Sequence, residues 1–196
     1  VTKAERTRQY IIEQTAPVFN VKGFDGTSLH DLTEATGLTK GAIYGNFVDK
    51  EEIAMEAFSY SIKKVKQMIR ESISKAVTAK SQLLAMLDFY AEYVFHPPIK
   101  GGCPLLNTAV EADDYHKSMR SVVVQELNDT VDFIAELLTN GIKAGEFKKQ
   151  TNARQLAYVF FCSIEGGVMF SRAERSDEPM KMIVLHCKKI LDQISL

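Results

Sequence analysis

The chain has 196 residues, 45% of them hydrophobic, which is enough for one or two compact units and excludes a disordered protein. Lys plus Arg number 24 against 25 Asp plus Glu, for a formal net charge of −1, so the overall basic excess that often marks a nucleic-acid binder is missing. No uninterrupted apolar run approaches the roughly 20 residues of a membrane span, and no membrane partner is expected. The three cysteines, Cys103, Cys162 and Cys187, are odd in number and widely spaced. They form no disulfide framework and point to a reducing cytoplasm. The polar, charged N-terminus predicts no secretory signal, and Val1 in first position suggests that the natural start lies upstream.

A first helix is predicted from about Thr2 to Lys22, with Ile12, Ala16 and Phe19 on one stripe and Gly23 ending it. The stretch Thr27 to Glu52, TSLHDLTEATGLTKGAIYGNFVDKEE, follows and is the most informative in the chain. Ser28 is placed to cap a short helix, and Asp31 adds negative charge to its first turn. Leu29, Leu32 and Ala35 recur at helical spacing, and Gly37 supplies a residue that turns the chain cheaply. Thr39 is placed to cap a second short helix in which Ile43 and Phe47 share a face. Asp49 and Glu52 form a D-x-x-E start for a third, close to a capping box. Two helices crossing on a short Gly-containing turn make a helix-turn-helix, whose second helix enters the DNA major groove.

The segment TSLHDLTEATGLTKGAIYGNF, the preceding FNVKGFDG and the following VDKEE together resemble the TetR/AcrR family of bacterial transcriptional regulators. The resemblance covers roughly the first fifty residues. Asn46 stands where the family often has His. The implied DNA contacts are Thr27, Ser28, Thr39, Lys40, Gly41, Ala42, Tyr44, Asn46 and Lys50. Lys40 suits guanine O6/N7 and Ala42 a thymine methyl, while Gly41 allows close approach. The resemblance assigns Tyr44 and Lys50 to phosphates, contacts that fix register without reading bases. Six cations (Lys3, Arg6, Arg8, Lys22, Lys40, Lys50) face six anions (Glu5, Glu13, Asp25, Asp31, Glu34, Asp49) within residues 1–50. The distribution of these charges, rather than their sum, must then serve DNA.

Beyond this segment a long helix is expected from about Lys50 to the Val77 region, acting as a connector with no Pro- or Gly-rich linker. A Ser81–His96 helix carries Leu84, Leu87, Tyr90, Ala91 and Val94 and stops at Pro97-Pro98. A short helix begins near Pro104, a long one spans roughly His116 to Ala144, and two more run from about Asn152 to Arg175 and from Glu178 to Ile194. The predicted fold is all-α. It comprises an N-terminal three-helix helix-turn-helix domain (residues 1–49) and a C-terminal helical ligand-binding and dimerisation domain (residues 50–196).

The family resemblance implies a C-terminal dimer enclosing a small-molecule cavity, and Leu87, Tyr90, Tyr93, Val94, Phe160, Phe161, Met169 and Phe170 are its candidate walls. Gly166 and Gly167 interrupt a strong helix at a cost of roughly 0.5–1 kcal/mol each. A close helix approach at a dimer face explains them, with Ile164 and Val168 alongside; a kink or a roomier pocket is the alternative. Ile183, Cys187, Ile190, Leu191 and Ile194 of the last helix suit the same interface. Cys103, just before Pro104, is a candidate redox thiol at a helix start, with a buried, inert cysteine as the competing reading. Cys162 reads as core.

His30, His96, His116 and His186 are scattered. Asp113 and His116, with Glu111 near, make at most a weak metal corner, so no metal or cofactor is expected. Gly-rich phosphate loops, nucleophile elbows and Cys-x-x-Cys pairs are absent from the sequence. The reading is a homodimeric, ligand-responsive transcriptional regulator that represses by occupying double-stranded operator DNA and is not an enzyme. The alternatives are a small-molecule binding protein whose helix-turn-helix no longer binds DNA, and an all-α enzyme using the C-terminal cavity.

Overall fold

The computed structural model describes residues 2–112 and 117–196. Among these residues the chain forms nine helices: α1 (Lys3–Lys22), α2 (Leu29–Thr36), α3 (Lys40–Tyr44), α4 (Lys50–Ile73), α5 (Ala79–Tyr93), α6 (Pro104–Ala112), α7 (Lys117–Lys143), α8 (Ala153–Glu174) and α9 (Glu178–Ile194). The all-α expectation holds; the only strand-like pairing among the described residues is an isolated antiparallel bridge between Phe147 and Ser195. The expected helix start at His116, and the Asp113 and His116 members of the weak metal corner, lie outside the described residues.

Local chemistry sets the helix starts. Thr2 accepts the Glu5 N–H at 3.2 Å while Glu5 accepts the Thr2 N–H at 2.6 Å, closing a capping box on α1. Ser28 and Asp31 repeat the device on α2, at 3.2 and 2.8 Å. Asp49 accepts the Glu52 N–H at 2.8 Å, but the Glu52 carboxylate accepts from the Val48 N–H instead of returning to Asp49. Helix α4 stops at Ile73, short of the Val77 region. Helix α5 begins at Ala79 because Thr78 is its cap, with Ser81 already at the third helical position.

The chain separates into two compact units, Val1–Val65 with Pro98–Val123 and Lys66–Pro97 with Val124–Leu196. This division differs from one drawn between residues 49 and 50, because residues 50–65 of α4 and the whole of α6 fall in the first unit. For α6 the reason is a set of polar contacts far apart in sequence. Glu111 of α6 accepts the Phe24 and Asp25 N–H groups at 2.7 and 2.9 Å. Gly23 (φ +74°) leaves room for this, since a Cβ there would lie 2.6 Å from Glu111 Oε1. The Asn20 side-chain amide donates to the Lys100 and Gly102 carbonyls, and Asn107 donates to the Asn20 carbonyl at 2.9 Å.

The head of the first unit has its own small core of Ile11, Ile12, Leu32, Ile43, Phe47 and Ile53, with Phe19, Leu38, Tyr44 and Tyr60 partly buried against it. In the second unit, Glu146 accepts the N–H groups of Ala79 and Lys80 at the start of α5, at 3.0 and 2.9 Å. The adjacent Phe147 is fully buried, and a side chain at Gly141 of α7 would collide with its ring. The chain end is tied to the same turn, with Lys148 N–H donating to the Ile194 carbonyl at 2.8 Å and Leu196 N–H to the Glu146 carbonyl at 3.1 Å.

Candidate DNA interface and the C-terminal unit

Helices α2 and α3 are joined by Gly37, which takes the left-handed conformation (φ 66°, ψ 12°) and donates its N–H to the Thr33 carbonyl. Thr39 caps α3 by accepting the Ala42 N–H at 3.2 Å. Leu32 and Ile43 hold the two helices together from inside, both fully buried. The first turn of α3 therefore faces out: Thr39, Lys40 and Gly41 are exposed and Ala42 is half-buried. Nothing approaches within 4 Å of a Cβ built on Gly41. A duplex surface can reach the α3 backbone there without obstruction.

The other expected contacts divide. Ser28 is exposed, and its hydroxyl donates to Asp31 at 2.8 Å. Tyr44 is half-buried against the head core. Asn46, just past the end of α3, donates its side-chain amide back to the Ala42 carbonyl at 2.8 Å. Thr27 and Lys50 turn inward, unlike the exposed residues of α3. Thr27 is 1% exposed and donates its hydroxyl to the Gly23 carbonyl, so its side chain is sealed in the turn after α1. Lys50 points the same way: its ammonium donates to the Phe24 and Thr27 carbonyls at 2.7 and 2.9 Å and stands 4.2 Å from the Phe24 ring centroid. It clamps the turn that presents α2 instead of reaching outward as a free cation.

Sequence reading missed Arg8. Its guanidinium donates to the Asn46 carbonyl at 2.5 Å and to Glu52 at 2.7 Å, and lies 4.1 Å from the Phe47 ring centroid. It thereby fixes the end of α3 to α1 and α4. The pairing with Glu52 raises the guanidinium's pKa. The Val48 N–H, and then Arg8, lower that of Glu52. Lys22, 2.5 Å away, and then Ser28 hold the Asp31 carboxyl well below the usual carboxylate range. No local pattern signals Arg8, because its partners lie 38 and 44 positions away.

These contacts engage four of the six anions of residues 1–50, while Asp25 and Glu34 are exposed. Glu5, Asp31 and Asp49 are taken up by helix caps, and Glu13 accepts from Gln9 at 2.8 Å. Lys3, Arg6 and Lys40 are exposed and make no ion pair among the described residues.

In the second unit, Leu87, Tyr90, Tyr93, Val94, Phe160 and Phe161 are all buried. Tyr90 and Tyr93 lie 5.6 Å apart, with Phe89 edge-on to both. Met169 and Phe170 do not join them; they are 52% and 56% exposed, on the outer side of α8. The expected interface residues are displaced in the opposite sense. Ile164, Val168, Cys187 and Leu191 are buried within the protomer. Gly167 is buried too, and a Cβ there would lie 3.1 Å from the Met180 side chain, so its close approach is between α8 and α9 of one chain. Gly166, Ile183, Ile190 and Ile194 are half-buried. The outward stripe is instead Tyr158, Val159, Cys162, Met169 and Phe170 on α8, with Met182 and Leu185 on α9. Cys162 is thus surface, not core. Burial pushes the Cys187 thiol up to about 11. Cys103 is buried as well. Among the described residues no cluster of three or more His, Cys, Asp or Glu is placed to hold a metal ion.

A capped helix pair with an open, cationic second helix on a private core defines a helix-turn-helix DNA-binding protein. Comparison with known proteins makes the class specific. Residues 11–57 match the model of bacterial regulatory proteins of the tetR family, and residues 79–186 match that of the tetracyclin repressor-like C-terminal domain. A TetR-family transcriptional regulator from Cytophaga hutchinsonii is 38% identical, with a TM-score of 0.92 over 100% of this chain and 98% of that one. A TetR transcriptional regulator from Chloroflexus aurantiacus is 33% identical, with a TM-score of 0.95 over 100% and 98%. The uncharacterized HTH-type transcriptional regulator YxaF of Bacillus subtilis is 25% identical over 185 residues, 93% of this chain and 94% of that protein. The chain belongs to the TetR family and is a DNA-binding transcriptional regulator.

Proposed function

We propose that the protein is a homodimeric, ligand-responsive repressor that works in the cytoplasm, occupies an operator of rough two-fold symmetry and carries out no catalytic step. The observation that carries the DNA half of this reading is the open first turn of α3. Thr39, Lys40, Gly41 and Ala42 face outward, and Ser28 at the start of α2 is exposed. Lys40 and Ala42 read base edges, while Ser28, Thr39 and Tyr44 serve position. Asn46, Thr27 and Lys50 support this surface from behind.

The outward stripe of α8 and α9 supports the dimer. Exposed Tyr158, Cys162 and Met169 recur at helical spacing on α8, and Met182 and Leu185 stand one turn apart on α9; exposed apolar side chains arranged in this way mark an interaction site. A second copy is the partner, because two-fold pairing places two recognition helices against two half-sites. The effector is a small molecule, and the buried aromatic set of Tyr90, Tyr93, Phe160 and Phe161 is where we place its walls. Ligand acts by favouring one spacing of the two heads. Moving that equilibrium from 1:99 to 99:1 takes about 5.5 kcal/mol of differential binding.

Selection of bound fragments from a genomic DNA library at two salt concentrations tests the reading. A dyad-symmetric site whose affinity falls with salt is expected, because phosphate neutralisation releases counterions. Failure to enrich any sequence at either salt contradicts it and favours a small-molecule binder with a silent helix-turn-helix.

A further inference from the structure

Lys3, Arg6, Thr7 and Tyr10 fall at i, i+3, i+4 and i+7 along α1 and so share one face. With Leu38, from the turn between α2 and α3, they line one open groove. The Tyr10 hydroxyl donates to the Thr36 carbonyl at 3.0 Å, which fixes this face of α1 against the end of α2. Leu38 is one residue before Thr39, the cap of α3. The groove therefore ends where the recognition helix begins.

The two cations in the groove differ from the third on the same helix. Arg8 lies on the opposite face of α1, where Asn46, Glu52 and Glu56 hold its guanidinium. Lys3 and Arg6 are exposed and make no ion pair among the described residues. The nearest acid in sequence, Glu5, is also on the far face, closed onto the Thr2 N–H. Two long, mobile cationic side chains beside the start of α3 suit phosphate oxygens, which need charge more than fixed geometry.

We propose that Lys3 and Arg6 form a second DNA contact outside the helix-turn-helix, binding the duplex backbone beside the bases that α3 faces. The proposal rests on the regulator reading above and adds residues that the helix-turn-helix pattern does not contain. A phosphate contact strengthens binding to every sequence alike, so it steepens salt dependence and leaves base preference untouched.

The test compares the full chain with a Lys3→Ala/Arg6→Ala double variant on the selected operator duplex over a salt series. The slope of log affinity against log salt is expected to shrink by about 0.9 for each phosphate no longer neutralised, or about 2 per bound chain. Affinity at about 0.1 M salt falls roughly tenfold or more. A Lys75→Ala/Lys149→Ala variant, with two exposed cations removed from the second unit, keeps the parent slope. An unchanged slope in the α1 variant, an equal decrease in the second-unit control, or an altered base preference overturns the phosphate contact. A parent chain that binds no duplex overturns the regulator reading itself, and this contact with it.

Discussion

The helix-turn-helix head and the α8–α9 pair present outer surfaces of contrasting chemistry. In the head the apolar side chains gather in a small core of Ile11, Ile12, Leu32, Ile43, Phe47 and Ile53, and the outside of α3 is Thr39, Lys40 and Gly41. Helix α8 is apolar on both sides, with Phe160, Ile164 and Val168 inside and Tyr158, Val159, Met169 and Phe170 outside. A helix that is hydrophobic nearly all round is one that becomes buried on every face. The difference fits the two kinds of partner proposed above: a hydrated polyanion for the head and, for the pair, a matching apolar surface of a second copy.

The comparison breaks most visibly at the outer face of α8. Met169→Glu/Phe170→Glu is expected to halve the mass in solution by light scattering. Operator affinity then falls by roughly 10² or more, as two linked heads become two separate ones. A variant that stays dimeric would place the partner surface elsewhere. The inner face behaves differently. Leu191→Ala, at a fully buried position, should lower unfolding stability in urea by about 2–5 kcal/mol while the mass is unchanged.

In the head, Lys50→Met removes the donor to the Phe24 and Thr27 carbonyls. The expected destabilisation is about 1–3 kcal/mol, with faster amide hydrogen exchange in α2, the helix that this turn presents. A variant that binds DNA more weakly with stability and exchange unaltered would return Lys50 to the phosphate-binding set. The smallest effect is one of pH. Lys22 and then Ser28 depress the Asp31 carboxyl, so its contribution is fully present above its unfolded value of about 3.9 and is lost as pH falls through the folded one. Thermal melts taken from about pH 5 down to about pH 2, through and below the unfolded value, should therefore show a steeper acid decline in the parent than in Asp31→Asn. Equal declines would show that Asp31 contributes nothing to the pH dependence.

Much of the head is legible in the sequence because its signals are local. Ser28, Asp31, Gly37 and Thr39 each act within four residues of their own position, and such short-range chemistry survives in a linear reading. What escapes is long-range. Arg8 to Asn46, Glu111 to Phe24 and Asn20 to Asn107 are separated by 38, 87 and 87 positions, and the last two tie α6 to the first unit. The inner and outer faces of α8 and α9 escape a linear reading for another reason. Periodicity locates an apolar stripe but cannot orient a helix that carries two of them, so the inner Ile164 and Leu191 read in sequence as the outer face. At Gly167 close helix approach is again the physical reason for the glycine, and in the protomer the neighbour is Met180 of α9.

Pairing of two chains through an apolar α8–α9 face, so that two α3 helices read one operator, is the centre of the proposed mechanism. The most direct test is the mass of the protein–DNA complex on a single dyad-symmetric duplex, measured by native mass spectrometry. Two chains on the duplex, with no singly occupied complex at comparable affinity, is the predicted result. One chain bound at full affinity, or two that bind independently of each other, would contradict it.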